Sequence, residues 1–365
     1  MNPSRTPATF IMTGGGTGGH VIPAIAVARE LRERGHNVRF IGTQRGIEAK
    51  LVPAAEFPID WVVIGGLNRV GLLKTMESLA ELPLSVLQAS RVLDRVRPAA
   101  VFSMGGYVAG PALLAALWKK IPVVVMEPNA IPGFTHRKLA RFAARALLSF
   151  PDTARWFPGR TTEVTGLPVR EAFFHIPPKP REATFTILIT GGSQGSRTLN
   201  RAAQESWPLW KSHQVRLLHQ AGPKPFEEMA AAFRAANVDG DIQPFFHDMP
   251  AAFAQADLIV SRAGAGAVSE IAAAGKPSIL VPLPTAADDH QLRNAQALEQ
   301  AGAARLVVDA DWTGQRFVDE VQSLLSEPAR LEKMSAAARA FAKPGAARRA
   351  AEVLEEFAGL RGTPK

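Results

Sequence analysis

Two glycine-rich turns, one opening each half of the chain, constrain the fold more than any other feature. Near the N-terminus the β-prone run Thr9-Phe10-Ile11-Met12-Thr13 leads into Gly14-Gly15-Gly16-Thr17-Gly18-Gly19-His20. About half the chain later, Phe185-Thr186-Ile187-Leu188-Ile189-Thr190 leads into Gly191-Gly192-Ser193-Gln194-Gly195-Ser196. A strand, a tight turn and a helix start in that order aim backbone N–H groups at an anion. The repetition predicts two similar α/β domains facing each other across a cleft.

At 365 residues the chain is long enough for two domains, each with its own core. Short apolar runs alternate with helical patterns, which indicates βα repeats and parallel sheets. The expected strands are 9–13, 38–42, 61–64, 99–103, 122–126 and 145–149, then 184–190, 215–220, 242–244, 258–261, 278–281 and 304–308. Helices fill the gaps, for example over 23–34 and 135–143. The boundary is expected in Gly166-Leu167-Pro168-Val169-Arg170 and the proline-rich stretch 176–180, which cannot continue a helix or a central strand. This gives domains at 1–166 and 167–342, with a last helix in 343–365 expected to cross back onto the first.

Residues 98–118 carry no charge, and about 20 such residues would span a bilayer. Gly105-Gly106 and Gly110-Pro111 break the stretch into a strand, a loop and a helix, so a buried βα unit is expected and no membrane anchor. The first residues show no segment of the signal-peptide type. The absence of cysteine excludes disulfides, thiolate catalysis and cysteine zinc sites. A formal charge of +9 favours anionic partners. Nucleic acid is not expected, because the basic residues are dispersed and Tyr107 is the single tyrosine.

Gly14-x-Gly16-x-x-Gly19 formally fits the dinucleotide fingerprint, which also needs a carboxylate at the end of the second strand. That strand ends Phe40-Ile41-Gly42-Thr43-Gln44, so a hydride-transfer enzyme is disfavoured. The second half offers better nucleotide chemistry. Ser261-Arg262-Ala263-Gly264-Ala265-Gly266-Ala267-Val268-Ser269-Glu270 follows a strand with small residues that admit a flat base and a diphosphate. Glu270 can accept hydrogen bonds from both hydroxyls of a ribose, or merely balance a helix dipole. Asp288-Asp289-His290-Gln291 and Asn294 suit sugar hydroxyls, or an ordinary helix cap.

Taken in order, seven motifs resemble the MurG family of peptidoglycan glycosyltransferases. They are Gly15-Gly16-Thr17-Gly18-Gly19-His20, Met104-Gly105-Gly106-Tyr107, Glu127-x-Asn129, Gly166-x-Pro168-Val169-Arg170, Gly191-Gly192-Ser193-Gln194-Gly195, Val268-Ser269-Glu270 and Asp288-Asp289-His290-Gln291. The chain departs from the family pattern at Met126 and Pro128, where many members read His-Glu-Gln-Asn, and at Leu167 in place of asparagine.

The resemblance implies the α/β GT-B fold, two Rossmann-like domains. It implies inverting transfer of N-acetylglucosamine from UDP-N-acetylglucosamine to the 4-hydroxyl of an undecaprenyl-diphosphate-linked muramoyl-pentapeptide. That activity serves peptidoglycan synthesis and, through it, cell shape and division. The donor would meet Phe246, Ala265, Gly266, Ala267, Val268, Ser269, Glu270 and Gln291, with Ser193 and Arg170 on the diphosphate. Thr17, Gly18, Gly19 and Asn129 would approach the donor from the first domain, and Gly105, Gly106 and Tyr107 would lie on the acceptor side. His20 and Glu127 are the candidate bases. Helix amides and Arg170 can neutralise the leaving diphosphate, so neither a divalent ion nor another cofactor is expected.

The lipid-linked acceptor implies an anionic membrane surface, and a peripheral location on the cytoplasmic face of the membrane. Leu72, Leu73, Met76 and Leu79 recur at helical spacing near Arg69, Lys74, Arg91, Arg95 and Arg97; Lys119, Lys120, Arg137, Lys138 and Arg141 add charge. A UDP-sugar 2-epimerase or a non-catalytic nucleotide-sugar binder are the competing expectations. The first would turn over without an acceptor, and the second would not turn over at all.

Overall fold

The computed structural model describes residues 7–64, 72–180, 184–210 and 215–359, with the backbone alone for 72–80 and 140. It divides into two compact units. One contains the chain up to Pro168 and again from Gly345 onward; the other is the continuous segment Val169–Pro344.

In the first unit the order is β1 (Thr9–Thr13), α1 (Gly18–Glu33), β2 (Asn37–Gly42), α2 (Glu48–Ala54), β3 (Ile59–Trp61), α3 (Leu72–Val96) and β4 (Ala100–Ser103). There follow α4 (Ala109–Trp118), β5 (Val123–Glu127), α5 (Phe134–Leu139), β6 (Arg145–Leu148) and β7 (Thr162–Val164). The seven strands form a parallel sheet in the order β3-β2-β1-β4-β5-β6-β7. Strands covered on both faces read as unbroken apolar runs, and Phe10, Ile11 and Met12 of β1 are fully buried.

The second unit runs β8 (Phe185–Thr190), α6 (Arg197–Ser206), β9 (Val215–Gln220), α7 (Phe226–Ala235), β10 (Gly240–Gln243) and α8 (Met249–Gln255). It continues with β11 (Leu258–Ser261), α9 (Ala265–Ala274), β12 (Ser278–Leu280), α10 (His290–Gln300), β13 (Ala304–Leu306), α11 (Gly314–Leu325) and α12 (Pro328–Phe341). Its six parallel strands lie in the order β10-β9-β8-β11-β12-β13. Trp207, Trp210, Trp312 and Phe317 fill one side of this sheet.

The last helix, α13 (Ala346–Phe357), packs on α1 within the first unit. It brings Glu355 to a buried position, where one oxygen lies 3.1 Å from His36 Nε2 and the other 3.2 Å from Arg34. Glu356 pairs with Arg145, and Arg349 with Glu163.

Three local expectations are corrected. The third strand is Ile59–Trp61 rather than 61–64, because parallel pairing sets Phe40 opposite Ile59 and Gly42 opposite Trp61. Helix α1 begins at Gly18, ahead of Pro23: the glycine stretch itself forms the first turn, and Pro23 lies inside. Strand β7, Thr162-Glu163-Val164, was not expected, since two of its three residues are polar.

Candidate active site

Strand order reverses at one place in each sheet, between β1 and β4 in the first and between β8 and β11 in the second. Parallel α/β sheets bind ligands beyond the carboxyl ends of the strands at such a point. The two glycine turns follow β1 and β8. Their neighbours across the reversal are the loops after β4, carrying Gly105, Gly106 and Tyr107, and after β11, carrying Arg262.

In the first unit the glycine turn is held from both sides. On one side stands Glu48, a buried carboxylate at the start of α2. Its Oε2 accepts the Gly16 N–H at 3.0 Å, and Oε1 accepts the Thr43 N–H at 3.2 Å and hydroxyl at 2.7 Å. A Cβ on Gly15 would fall 2.7 Å from that carboxylate, so only glycine fits. On the other side, a Cβ on Gly106 would meet the Gly15 carbonyl at 2.7 Å, and one on Gly16 would meet the Tyr107 ring at 3.0 Å. Gly16 and Gly106 also take φ of +86° and +78°, which side chains disfavour.

Gly18, Gly19 and His20 form the first turn of α1, where the His20 N–H donates to the Thr17 carbonyl at 3.2 Å. Thr17 precedes it in extended conformation, and its hydroxyl lies 3.2 Å from His20 Nδ1 instead of capping the helix. His20 is half-exposed. Glu127 is different: only 2% exposed at the end of β5, it has both oxygens engaged. Oε1 accepts the Asn129 N–H at 3.0 Å, and Oε2 faces His136 Nδ1 at 2.8 Å. This arrangement fixes a loop and keeps the carboxylate almost wholly buried.

In the second unit Ser196 caps α6, accepting from Leu199 N and from the Arg262 Nε at 2.9 Å. Gly195, with φ of +73°, rests against the Ala221 carbonyl, and Ser193 is exposed at the turn. Arg262 is buried and also donates to the Val281 and Pro282 carbonyls and to Asp309, so three other segments meet on one guanidinium. Gln220, buried at the end of β9, donates to Thr190 Oγ1 and the Gly192 carbonyl and accepts the Phe246 N–H.

On α9 the helical period divides the small-residue run. Ala265 and Val268 turn into the core, whereas Gly266, Ala267, Ser269 and Glu270 are half-exposed. Val268 therefore has only its backbone to offer a ligand. Glu270 retains 29% side-chain exposure and lies 3.6 Å from Arg170, whose guanidinium stacks 4.9 Å from the Phe173 ring. Burial pushes the Glu270 carboxyl up to about 7, with Arg170 pulling it down. Gln291 accepts the Leu283 N–H at 3.0 Å. Asp288 and Asp289 both adopt left-handed backbone (φ +52° and +53°), a strained pair of the sort found where side chains must be presented. Asp289 does not cap α10 with its side chain, and Asn294 is buried on the Ala263 carbonyl.

The leucine and methionine side chains at 72, 73, 76 and 79, the lysine at 74 and the whole of Arg69 lie outside the described residues. Farther along α3, Leu84 and Leu87 are exposed, and Trp118, at the end of the neighbouring α4, is 73% exposed. Of the nearby cations, Arg95 pairs with Asp60 and Lys119 with Asp94. Among the described residues no helix is long and apolar enough to cross a membrane.

Two Rossmann-like parallel-sheet units, each with a glycine turn at its reversal point, are the architecture of the GT-B glycosyltransferases. More particularly, the chain belongs to glycosyltransferase family 28, whose N-terminal domain matches residues 10–148 and whose C-terminal domain matches 186–350, and within that family to the MurG group. It is 61% identical over 356 residues to the UDP-N-acetylglucosamine--N-acetylmuramyl-(pentapeptide) pyrophosphoryl-undecaprenol N-acetylglucosamine transferase of Solibacter usitatus, covering 97% of each chain. The crystal structure of Acinetobacter baumannii MurG superposes with a TM-score of 0.82 at 32% identity, over 96% of this chain and 100% of that one. A UDP-GlcNAc 2-epimerase from Neisseria meningitidis, at 16% identity and a TM-score of 0.64 over 95% of this chain and 99% of that one, shares the fold alone.

Proposed function

We propose that this glycosyltransferase moves N-acetylglucosamine from UDP-N-acetylglucosamine to the 4-hydroxyl of a muramoyl sugar carried on undecaprenyl diphosphate, with inversion. The observation that carries this reading is the 61% identity, over 97% of both chains, to a transferase named for that reaction.

The donor's uridine diphosphate is assigned to the second unit. Glu270, as a carboxylate, accepts from the ribose hydroxyls, and the exposed face of α9 (Gly266, Ala267, Ser269), with the backbone of Ala265 and Val268, lies along the nucleotide. Phe246 has its N–H engaged by Gln220, and its carbonyl is assigned to uracil N3–H. Ser193 and the amides at the start of α6 take the diphosphate, and Arg170 supplies the formal positive charge. Gln291 reads the sugar hydroxyls. In the first unit Thr17, Gly18, Gly19 and Asn129 serve the donor, and Gly105, Gly106 and Tyr107 the acceptor.

Inversion needs one in-line displacement. The acceptor oxygen attacks the anomeric carbon as the bond to the diphosphate breaks, and a base takes the hydroxyl proton. His20 fills that role by position: it is half-exposed, on the turn packed against Gly106 and Tyr107. Glu127 is assigned to positioning, since both oxygens are bonded. Charge on the leaving diphosphate is met by helix amides and Arg170, an account that requires turnover in a chelator.

We further place the protein at an anionic membrane surface on the cytoplasmic side, where its acceptor lies, using Leu84, Leu87 and Trp118 with the cations of α3–α5. Surface cations contribute about 1 kcal/mol each at such a leaflet.

The test is UDP release from UDP-N-acetylglucosamine in EDTA, with and without a short-chain acceptor analogue. Acceptor-dependent release with a disaccharide product supports the reading. Turnover of the donor without acceptor, giving the C2 epimer, sinks it in favour of an epimerase.

A further inference from the structure

We propose that His136 is a positioning residue for the acceptor, a buried ring that sets the loop after β4 and, through it, the first glycine turn and His20. The inference rests on the transferase reading given above.

Ser103, His136 and Glu127 are each 2% exposed or less and form one bonded series. His136 Nδ1 lies 2.8 Å from Glu127 Oε2, and its Nε2 lies 3.2 Å from Ser103 Oγ. The Ser103 oxygen also accepts the Gly105 N–H at 3.1 Å. A neutral imidazole satisfies every member: Nδ1–H donates to the carboxylate, the serine hydroxyl donates to Nε2, and the glycine amide donates to the serine oxygen. Next door on α5, the Thr135 hydroxyl donates to the Gly106 carbonyl at 2.9 Å. A Cβ on Gly105 would stand 3.0 Å from the His136 ring, so the loop lies flat on the imidazole.

The series has the order of a nucleophilic triad, yet Ser103 is wholly buried and its hydroxyl is committed on both sides. It therefore orients rather than attacks. What it orients is the stretch Gly105–Tyr107, which touches Gly15 and Gly16 and brings Gly106 to within 3.6 Å of the His20 ring, measured from a Cβ built on that glycine. The same carboxylate holds Asn129 with its other oxygen. Three loops thus take their positions from one histidine.

The experiment is steady-state kinetics of the full chain with varied acceptor analogue at saturating UDP-N-acetylglucosamine, alongside UDP binding by calorimetry. In His136→Ala the acceptor kcat/KM falls roughly tenfold or more, the scale on which small misplacements cost rate. UDP affinity stays within about twofold, because the groups assigned to uridine diphosphate belong to the other unit. His136→Asn keeps an N–H for Glu127 and regains part of the loss. Ser103→Ala reproduces the acceptor defect, and the double variant is no worse than His136→Ala. A folded His136→Ala with unchanged acceptor kinetics, a parallel loss of UDP affinity, or additive losses in the double variant would each overturn the proposal. Should His136→Ala not fold, Ser103→Ala alone decides: an acceptor-specific loss supports the role and no loss removes it. Acceptor-dependent release by the wild type, measured first, tests the transferase reading separately.

Discussion

Gln220 Oε1 accepts the Phe246 N–H at 3.0 Å while the same amide donates to the Gly192 carbonyl at 2.9 Å. One side chain ties the segment assigned to uracil to the turn assigned to the diphosphate. Gln220→Ala leaves an amide and a carbonyl to find other partners, and both ends of the nucleotide site loosen together. The expected result is a KM for UDP-N-acetylglucosamine raised about tenfold with kcat nearly kept, as befits lost uniform binding. A kcat that falls as far as kcat/KM would contradict it.

Glu48 carries three hydrogen bonds from Gly16 and Thr43, and its carboxylate packs closely against Gly15. Glu48→Ala strands buried donors, each costing about 1–3 kcal/mol, so a stability loss of roughly 3 kcal/mol is expected in urea. Activity should fall further than stability explains, since the glycine turn it holds carries His20. Recovery of full turnover at low temperature, where the variant is folded, would refute that second part.

Glu270 titrates near 7 because burial disfavours its charge more than Arg170 restores it. As a carboxylate it accepts from the ribose; protonated, it does not accept in the same way. UDP affinity should therefore rise about tenfold between pH 6 and 8, and the rise should vanish in Glu270→Gln. Stability runs the opposite way. The folded carboxyl holds a proton that the unfolded one, near 4.5, has lost, so this contribution is present below that value and disappears as pH climbs through about 7. Calorimetric titrations with UDP across the window check the first, and thermal melts the second.

Arg262 joins Ser196, Val281, Pro282 and Asp309 through a planar fork that an ammonium cannot copy. Arg262→Lys keeps the charge beside Asp309 but leaves buried acceptors without a donor, so a stability loss of roughly 1–3 kcal/mol is expected. Donor KM should rise in step, because the capping serine of α6 loses its partner. A lysine variant as stable as the wild type would show that Asp309 and Ser196 are held by other means.

Much of this was legible in advance. Long apolar strands such as 9–13 and 185–190 announce themselves because both faces are covered, and their glycine turns name the reversal points. Short edge strands do not: Ile59-Asp60-Trp61 takes its register from β2, and Thr162-Glu163-Val164 has almost no apolar signal. Val268 shows what the helical period adds to a motif: its side chain turns inward, so only its backbone is available to a ligand. Glu48, His136 and Gln220 stayed hidden for a different reason. Each is a single polar residue with a partner 28 to 33 positions away, and no spacing rule joins the two until the sheet brings the loops together.

The return of the chain to its first unit has a consequence for how the protein is made. A continuous segment, Val169–Pro344, is complete as soon as it leaves the ribosome. The unit that begins earlier must wait for α13, whose Ala350, Ala351, Val353 and Leu354 are buried and whose Glu355 reaches back to His36 and Arg34. The first half to be synthesised is thus the last to be finished, and for that interval the surface of α1 that α13 later covers is open to chaperones and to other nascent chains.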